Sequence, residues 1–111
     1  MALHFTREEL AERRARACAA LNARGLAGLL CFRQETMFYL TGYDTFGYVY
    51  FQCLYLGADG RMTLLTRAPD LRQARHTSVI ADIRIWKDRD GAEPALELRA
   101  ILEEHRCRGA K

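Results

Sequence analysis

Apolar positions recur along the chain at helical spacing in some stretches and as short continuous or alternating runs in others, and the changes of period mark out the elements. Thr6 with Glu9 three residues on is a capping-box signature, and Phe5 and Leu10 occupy the staple positions around it. Leu10, Ala17 or Cys18, and Leu21 then share one helical face, and Gly25 is the expected residue just past the helix end. The run from Leu26 to Phe32 is continuously apolar, which predicts a central strand covered on both faces. Glu35-Thr36 predicts a short helix through Leu40, stopped by Gly42. Phe46 to Leu56 and Arg61 to Thr66 read as two buried strands joined by Gly57-Ala58-Asp59-Gly60, an antiparallel hairpin.

Pro69 and Asp70 suit the first turn of a helix reaching about His76, with Leu71 and Ala74 inward. A strand from about Asp82 carries Ile83, Ile85 and Trp86, with Arg84 pointing the other way. A turn over 88–91 follows, and Pro94 opens a last helix whose stripe is Leu98, Ile101 and Leu102, ending near Arg106. The order is helix, strand, short helix, hairpin, helix, strand, helix. It predicts a single α/β domain over 1–111, a mixed-direction sheet with helices packed on its faces. The last helix calls for a crossover into another strand, and the expectation is a domain truncated before its last strand or strands. The sheet edge beside Ile83 and Ile85 is then open, and the isolated chain is expected to self-associate through it.

Composition narrows the function classes. Half of the 111 residues are hydrophobic and 28% are charged, the balance of a folded globular chain. No window approaches about 18 consecutive apolar residues, and the first twenty carry seven charged side chains without an apolar centre, so the expectation is a cytoplasmic protein with no membrane span. Fifteen of the seventeen basic residues are arginine, but they are scattered among acids without the single-sign stripe of a nucleic-acid footprint. The four cysteines lie far apart with no CxxC and read as buried structural thiols.

Catalytic constellations are missing from the pattern. His4, His76 and His105 form no HExxH or HxH pair. On a helix, the offset between His105 and Cys107 points their side chains to different faces. Ser78 is the only serine and lacks a GxSxG elbow, and no glycine-rich loop joins a strand to a helix. The outstanding feature is aromatic: nine of the eleven aromatic residues lie between Phe32 and Tyr55. Tyr50, Phe51 and Tyr55 fit a buried strand. The segment from Gly42 to Tyr48, with two glycines and Asp44, is expected to be a loop that displays its aromatics to a partner or a ligand.

Met37-Phe38-Tyr39-Leu40-Thr41-Gly42-Tyr43-Asp44, followed by the Asp59-Gly60 hairpin and Leu64-Leu65-Thr66-Arg67, resembles the amino-terminal domain of the creatinase, prolidase and aminopeptidase P family. The resemblance runs over essentially the whole chain and is most specific at Tyr39 to Tyr43. It implies a ribonuclease H-like motif and a non-catalytic domain that precedes a carboxy-terminal pita-bread domain. In the family's metallopeptidases that second domain binds two divalent metals (Mn, Zn or Co) through Asp, Asp, His, Glu and Glu, none of which is carried over to this chain. The resemblance further implies a homodimer in which a loop of this domain reaches the partner subunit's active site. By motif position Tyr43, Phe46 and Tyr48 are the residues expected at that pocket wall or dimer contact. The substrate so implied is an Xaa-Pro peptide or a small creatine-like compound. The reading set against it is a stand-alone module for protein interaction or small-ligand binding, without hydrolase activity.

Overall fold

A computed structural model describes residues 3–45, 50–87 and 90–111. Helix α1 (Arg7–Ala23) begins as its sequence dictates: the Glu9 amide donates to Thr6 Oγ1 at 3.1 Å, and Glu9 reaches back to the Thr6 amide. Its end is a Schellman turn, with the Leu26 amide donating to the Leu21 carbonyl and the Gly25 amide to that of Asn22. Phe5 does not simply staple α1 to itself. Its ring lies 5.0 Å from that of Phe38 and beneath the Arg13 guanidinium, joining α1 to the next helix.

Four strands follow the expected order: β1 (Gly28–Cys31), β2 (Cys53–Gly57), β3 (Met62–Arg67) and β4 (Ile83–Trp86). Helix α2 (Gln34–Thr41) links the first two, a 3₁₀ turn (Ala68–Asp70) and helix α3 (Leu71–Thr77) link the last two, and helix α4 (Pro94–Glu104) comes after β4. β1 and β3 both run antiparallel to β2, β4 runs parallel to β3, and the spatial order is β1-β2-β3-β4. The fold is the mixed-direction α/β sheet expected from the sequence.

Strand alternation divides the core in two. Cys31, Leu54, Leu56, Leu64 and Ile83 face α1, α2 and α3 and form the larger cluster with Met37, Leu40, Tyr43 and Ala74. Leu65 and Trp86 face the other way and meet Ile101 and Leu98 of α4. Each fully buried Leu or Met here contributes about 1.5–3 kcal/mol through removal of its side chain from water.

β1 departs from expectation. It is not central: it pairs only with β2, at the edge of the sheet, and Leu29 and Leu30 are 39% and 37% exposed. The α2 link and the β2–β3 hairpin lay the later strands all on one side of β1, and α4 packs on the far side of the sheet against β3 and β4. One strand limit and one helix limit also move. β2 starts at Cys53 rather than near Phe46, with 50–52 irregular and 46–49 outside the described residues. α4 stops at Glu104, after which Arg106 takes a left-handed φ of 59°.

Candidate functional site

The aromatic segment is rooted where α2 ends, beside the carboxyl end of β3. In α/β sheets that end of the parallel strands is where loops most often build sites. Gly42 caps α2 at φ 83°, and a Cβ there would stand 2.7 Å from the Thr77 carbonyl oxygen, so the position needs glycine twice over. The turn it makes sends the chain back across the sheet. Tyr43 is thereby buried completely, with no exposed surface.

Tyr43 is the hub of a buried polar network. Its hydroxyl donates to Gln52 Oε1 at 3.0 Å and lies 3.3 Å from Thr66 Oγ1, which itself donates to Gln52 Oε1 at 3.3 Å. Gln52 Nε2 reaches Gln34 Oε1 at 3.4 Å, and Gln34 Nε2 donates to the Tyr43 carbonyl at 2.7 Å, closing the ring of contacts. Burial pushes the Tyr43 phenol above its ordinary pKa, against the opposing effect of its hydrogen bond to Thr66, so it stays a proton donor. The two residues that follow are held as firmly. The Asp44 amide donates to Thr77 Oγ1 at 2.9 Å, Asp44 Oδ2 is 3.1 Å from His4 Nε2, and Thr45 Oγ1 donates to the buried Asp70 carboxylate at 2.6 Å.

These positions correct the expectation of displayed aromatics at Tyr43: the side chain is inside because polar partners at the sheet end satisfy its hydroxyl. Phe46 and Tyr48 lie outside the described residues. Tyr50 is corrected the other way, since it is 47% exposed, and the Arg67 guanidinium carbon stands 3.5 Å over its ring. Tyr55 is buried as expected. Phe51 is half-buried, edge-on to Phe32 at 6.1 Å and to Trp86 at 6.4 Å, with Trp86 Nε1 donating to the Phe51 carbonyl at 2.9 Å. Of the two polar residues flanking the aromatic cluster, Gln52 serves the network and Arg33 is exposed beside Glu35. Of the network's other members, Thr66 carried one sequence signal, a polar residue at the end of the apolar Leu64-Leu65 run, whereas Gln34 lies among polar neighbours and gave none.

A second polar cluster lies under the end of α4. Thr63 Oγ1 donates to Asp82 Oδ2 at 2.8 Å and is 2.8 Å from His105 Nε2, so the ring carries its proton on Nε2 to satisfy Thr63. The Arg84 guanidinium bridges Asp82 and Glu104 at 2.7–3.1 Å, and this pairing holds both carboxylates below their usual range. His105 and Cys107 were expected on different faces, yet both touch Tyr55, by a ring contact at 4.4 Å and a sulfur–hydroxyl contact at 3.3 Å. The reason is that α4 has already ended, and helical offsets do not apply past Glu104. Among the described residues no three His, Cys, Asp or Glu side chains converge in a manner that would hold a metal ion, and no helix is long and apolar enough to cross a membrane. The described residues do not fit a two-metal centre.

Comparison with known proteins agrees with this architecture. A family model described as the Creatinase/Prolidase N-terminal domain matches residues 13–109. An ectoine hydrolase of Halomonas elongata is 32% identical over 90 residues, covering 81% of this chain and 21% of that protein. The crystal structure of the dipeptidase PepE from Mycobacterium ulcerans superposes with a TM-score of 0.72 at 30% identity, over 89% of this chain and 27% of the other. A dipeptidase from Pyrococcus horikoshii gives 0.70 at 26% identity, over 84% and 25%. The chain therefore spans about a fifth to a quarter of the length of these relatives.

Proposed function

The chain belongs to the creatinase/prolidase N-terminal domain family, and from that membership we propose that it is the non-catalytic amino-terminal domain of a longer metal-dependent hydrolase of the Xaa-Pro dipeptidase or creatinase type. In this reading it contributes to a homodimer and to one wall of a substrate pocket. The catalytic groups and two divalent metals (Mn, Zn or Co) belong to a domain beyond this chain. The relatives named as an ectoine hydrolase and as dipeptidases are hydrolases, which supports the reaction class. They leave the substrate open between an Xaa-Pro peptide and a compound of the creatine type.

The observation that carries the reading is the buried Tyr43 hub. A loop meant only to connect α2 to β2 needs no network of Gln34, Gln52 and Thr66 beneath it, whereas a loop that must present a surface at a fixed place does. Tyr43 then acts as the root, and Phe46 and Tyr48 are the residues assigned to the wall or the dimer contact. Flat rings there would close one side of a pocket and exclude water from hydrolysis performed elsewhere.

The test is the mass of the polypeptide in its source cell, followed by assays of that native protein with Mn, Zn or Co on an Xaa-Pro dipeptide, creatine and ectoine. A product several times heavier than the 111-residue chain, with metal-dependent hydrolysis, is expected. A product no heavier than these 111 residues, or turnover of an Xaa-Pro dipeptide by the 111-residue chain alone, overturns the reading; the first result favours the stand-alone interaction module.

A further inference from the structure

We propose that the outer face of α3 is an electrostatic contact to the partner subunit, whose side of the interface presents carboxylate groups. This rests on the reading above that the chain belongs to a homodimeric enzyme.

Helical spacing builds the face. Arg72, Arg75 and His76 stand at i, i+3 and i+4 of α3 and share one side of it, while Ala74 and Thr77 turn into the protein. All three are exposed, and among the described residues no carboxylate pairs with them. The sequence offers none nearby, because no acidic residue lies between Asp70 and Asp82. Asp70 is buried and accepts from Thr45 at 2.6 Å, and Asp82 is held by Thr63 and Arg84. Other exposed arginines are compensated locally. Arg16, Arg33, Arg61 and Arg108 each stand 2.6–3.7 Å from a carboxylate close by in sequence.

The charges do not serve α3 itself. Asp70 occupies the N-cap position yet makes no capping bond, its carboxylate being turned to Thr45. The first turn contains no acid and carries Arg72, a cation at the positive end of the helix dipole. Arg75 and His76 suit the other end, but like charges three and four residues apart repel. A cationic face that helix electrostatics disfavours and no acid of the domain neutralises is complementary to carboxylates brought from outside.

Position and composition make that outside group a protein. Pro69, Arg72, Gln73 and His76 line a concavity of about 320 Å³. Small-molecule pockets begin near ~300 Å³, so an open hollow of this size suits an inserted side chain better than a whole ligand. Just before Pro69, the Arg67 guanidinium carbon lies 3.5 Å over the exposed ring of Tyr50. Arginine and tyrosine are enriched where proteins meet, and arginine can grip a carboxylate through two parallel bonds. The face also adjoins the segment assigned above to the dimer contact. Thr77 at the end of α3 accepts from the Asp44 amide at 2.9 Å, and Asp70 just before α3 holds Thr45. Three cations on a helix about 10 Å long are too few for a nucleic-acid backbone, which basic proteins engage at about six to ten phosphates.

The experiment uses the full-length protein, whose oligomeric state is read first by sedimentation equilibrium. Arg72→Glu combined with Arg75→Glu reverses the face, and Arg99→Glu, at an exposed position on α4, is the control. The double reversal should raise the dimer dissociation constant at least about tenfold at low salt and flatten its dependence on salt, while the control changes neither. In parallel, Arg75→Lys keeps the charge and supplies an amine, and mixed dimers of isotopically light and heavy subunits are treated with a carbodiimide that joins amines to carboxylates in direct contact. Mass spectrometry should find an isopeptide between the introduced amine and an Asp or Glu of the differently labelled subunit. A dimer as tight after reversal as before, or isopeptides formed only within one subunit, overturns the proposal. So does salt-sensitive binding of a duplex oligonucleotide that the reversal abolishes while the dimer stands. A native protein that is monomeric fails the parent reading instead, and is recognised before any variant is made.

Discussion

The Tyr43 hydroxyl and Gln52 Oε1, nine residues apart in sequence, meet at 3.0 Å in a fully buried site that ties the end of α2 to the start of β2. Removing the Tyr43 hydroxyl leaves Gln52 Oε1 short of its nearer donor in a buried site. Tyr43→Phe deletes a single oxygen, keeps the ring in its cavity, and should destabilise the fold by about 1–3 kcal/mol, because Gln52 Oε1 retains only the longer bond from Thr66. Urea unfolding of the variant against the parent sequence checks this. Superimposable unfolding curves would show that the network is not the root of the loop.

Gly42 and Gly60 both hold left-handed φ values, 83° and 92°, but only at Gly42 does a Cβ meet a backbone oxygen, Thr77 O at 2.7 Å. Gly60→Ala should therefore cost only the left-handed backbone penalty of about 1–2 kcal/mol. Gly42→Ala should cost that and more, since the carbonyl it strikes belongs to the segment that also holds Asp44 through the Thr77 hydroxyl. The difference between the two unfolding free energies measures the close approach of α2 and α3. Equal losses would contradict it.

Much of this architecture was legible in the sequence because local signals agreed with one another. Thr6 and Glu9 fixed the start of α1, Gly42 the end of α2, and Asp59-Gly60 the hairpin. What was not legible depended on partners distant in sequence. The continuous apolar run of β1 reads as central whether or not a neighbour is present, and the exposure of Leu30 is decided by which strand lies beyond it. Tyr43 looked like a loop aromatic because the glycines around it are visible locally, while Gln34, Gln52 and Thr66 come together only in the folded chain. His105 and Cys107 were separated by a helical rule that no longer applies where α4 has ended.

The four cysteines should divide in two by reactivity. Burial raises the Cys31 thiol to about 11 and that of Cys53 to about 12, whereas Cys18 and Cys107 are partly exposed. Iodoacetamide at pH 8 should modify Cys18 and Cys107 first, and Cys31 and Cys53 only after unfolding. The same shifts fix a sign. The folded state holds these protons more tightly than the unfolded chain, whose thiols titrate near 9.0, so the stability they contribute is complete below pH 9 and is lost as pH rises toward 11–12. The urea midpoint should fall through that window, and Cys53→Ala should flatten the fall. A midpoint constant from pH 8 to 11 would contradict the assignment.

Asp82 carries the opposite sign. Hydrogen bonds from Arg84 and Thr63 outweigh its partial burial and hold its carboxyl below the ordinary value of 3.8. Its contribution is present above about pH 4 and disappears as pH falls through the lowered value. Asp82→Asn should therefore remove part of the acid limb of the stability profile and leave the alkaline limb unchanged. Calorimetric unfolding from pH 2.5 to 6 reads this directly, and an unaltered acid limb would mean that the Arg84 bridge from β4 to α4 is too well solvated to matter.

The isolated 111-residue chain has two open sheet edges among its described residues, and they differ in character. The β4 edge carries Arg84, already engaged with Asp82 and Glu104, whereas β1 offers an uncharged strand with Leu29 and Leu30 exposed on opposite faces. An unpaired edge of the second kind recruits another chain. Concentration-dependent dimerisation in sedimentation velocity is the expected behaviour, seated at β1 rather than beside Ile83 and Ile85. Leu30→Lys places a charge on that edge, where a side chain 37% exposed has room to reach water, and should shift the equilibrium to monomer with little loss of stability. A wild-type chain that remains monomeric across a wide concentration range would show that the β1 edge is not adhesive by itself.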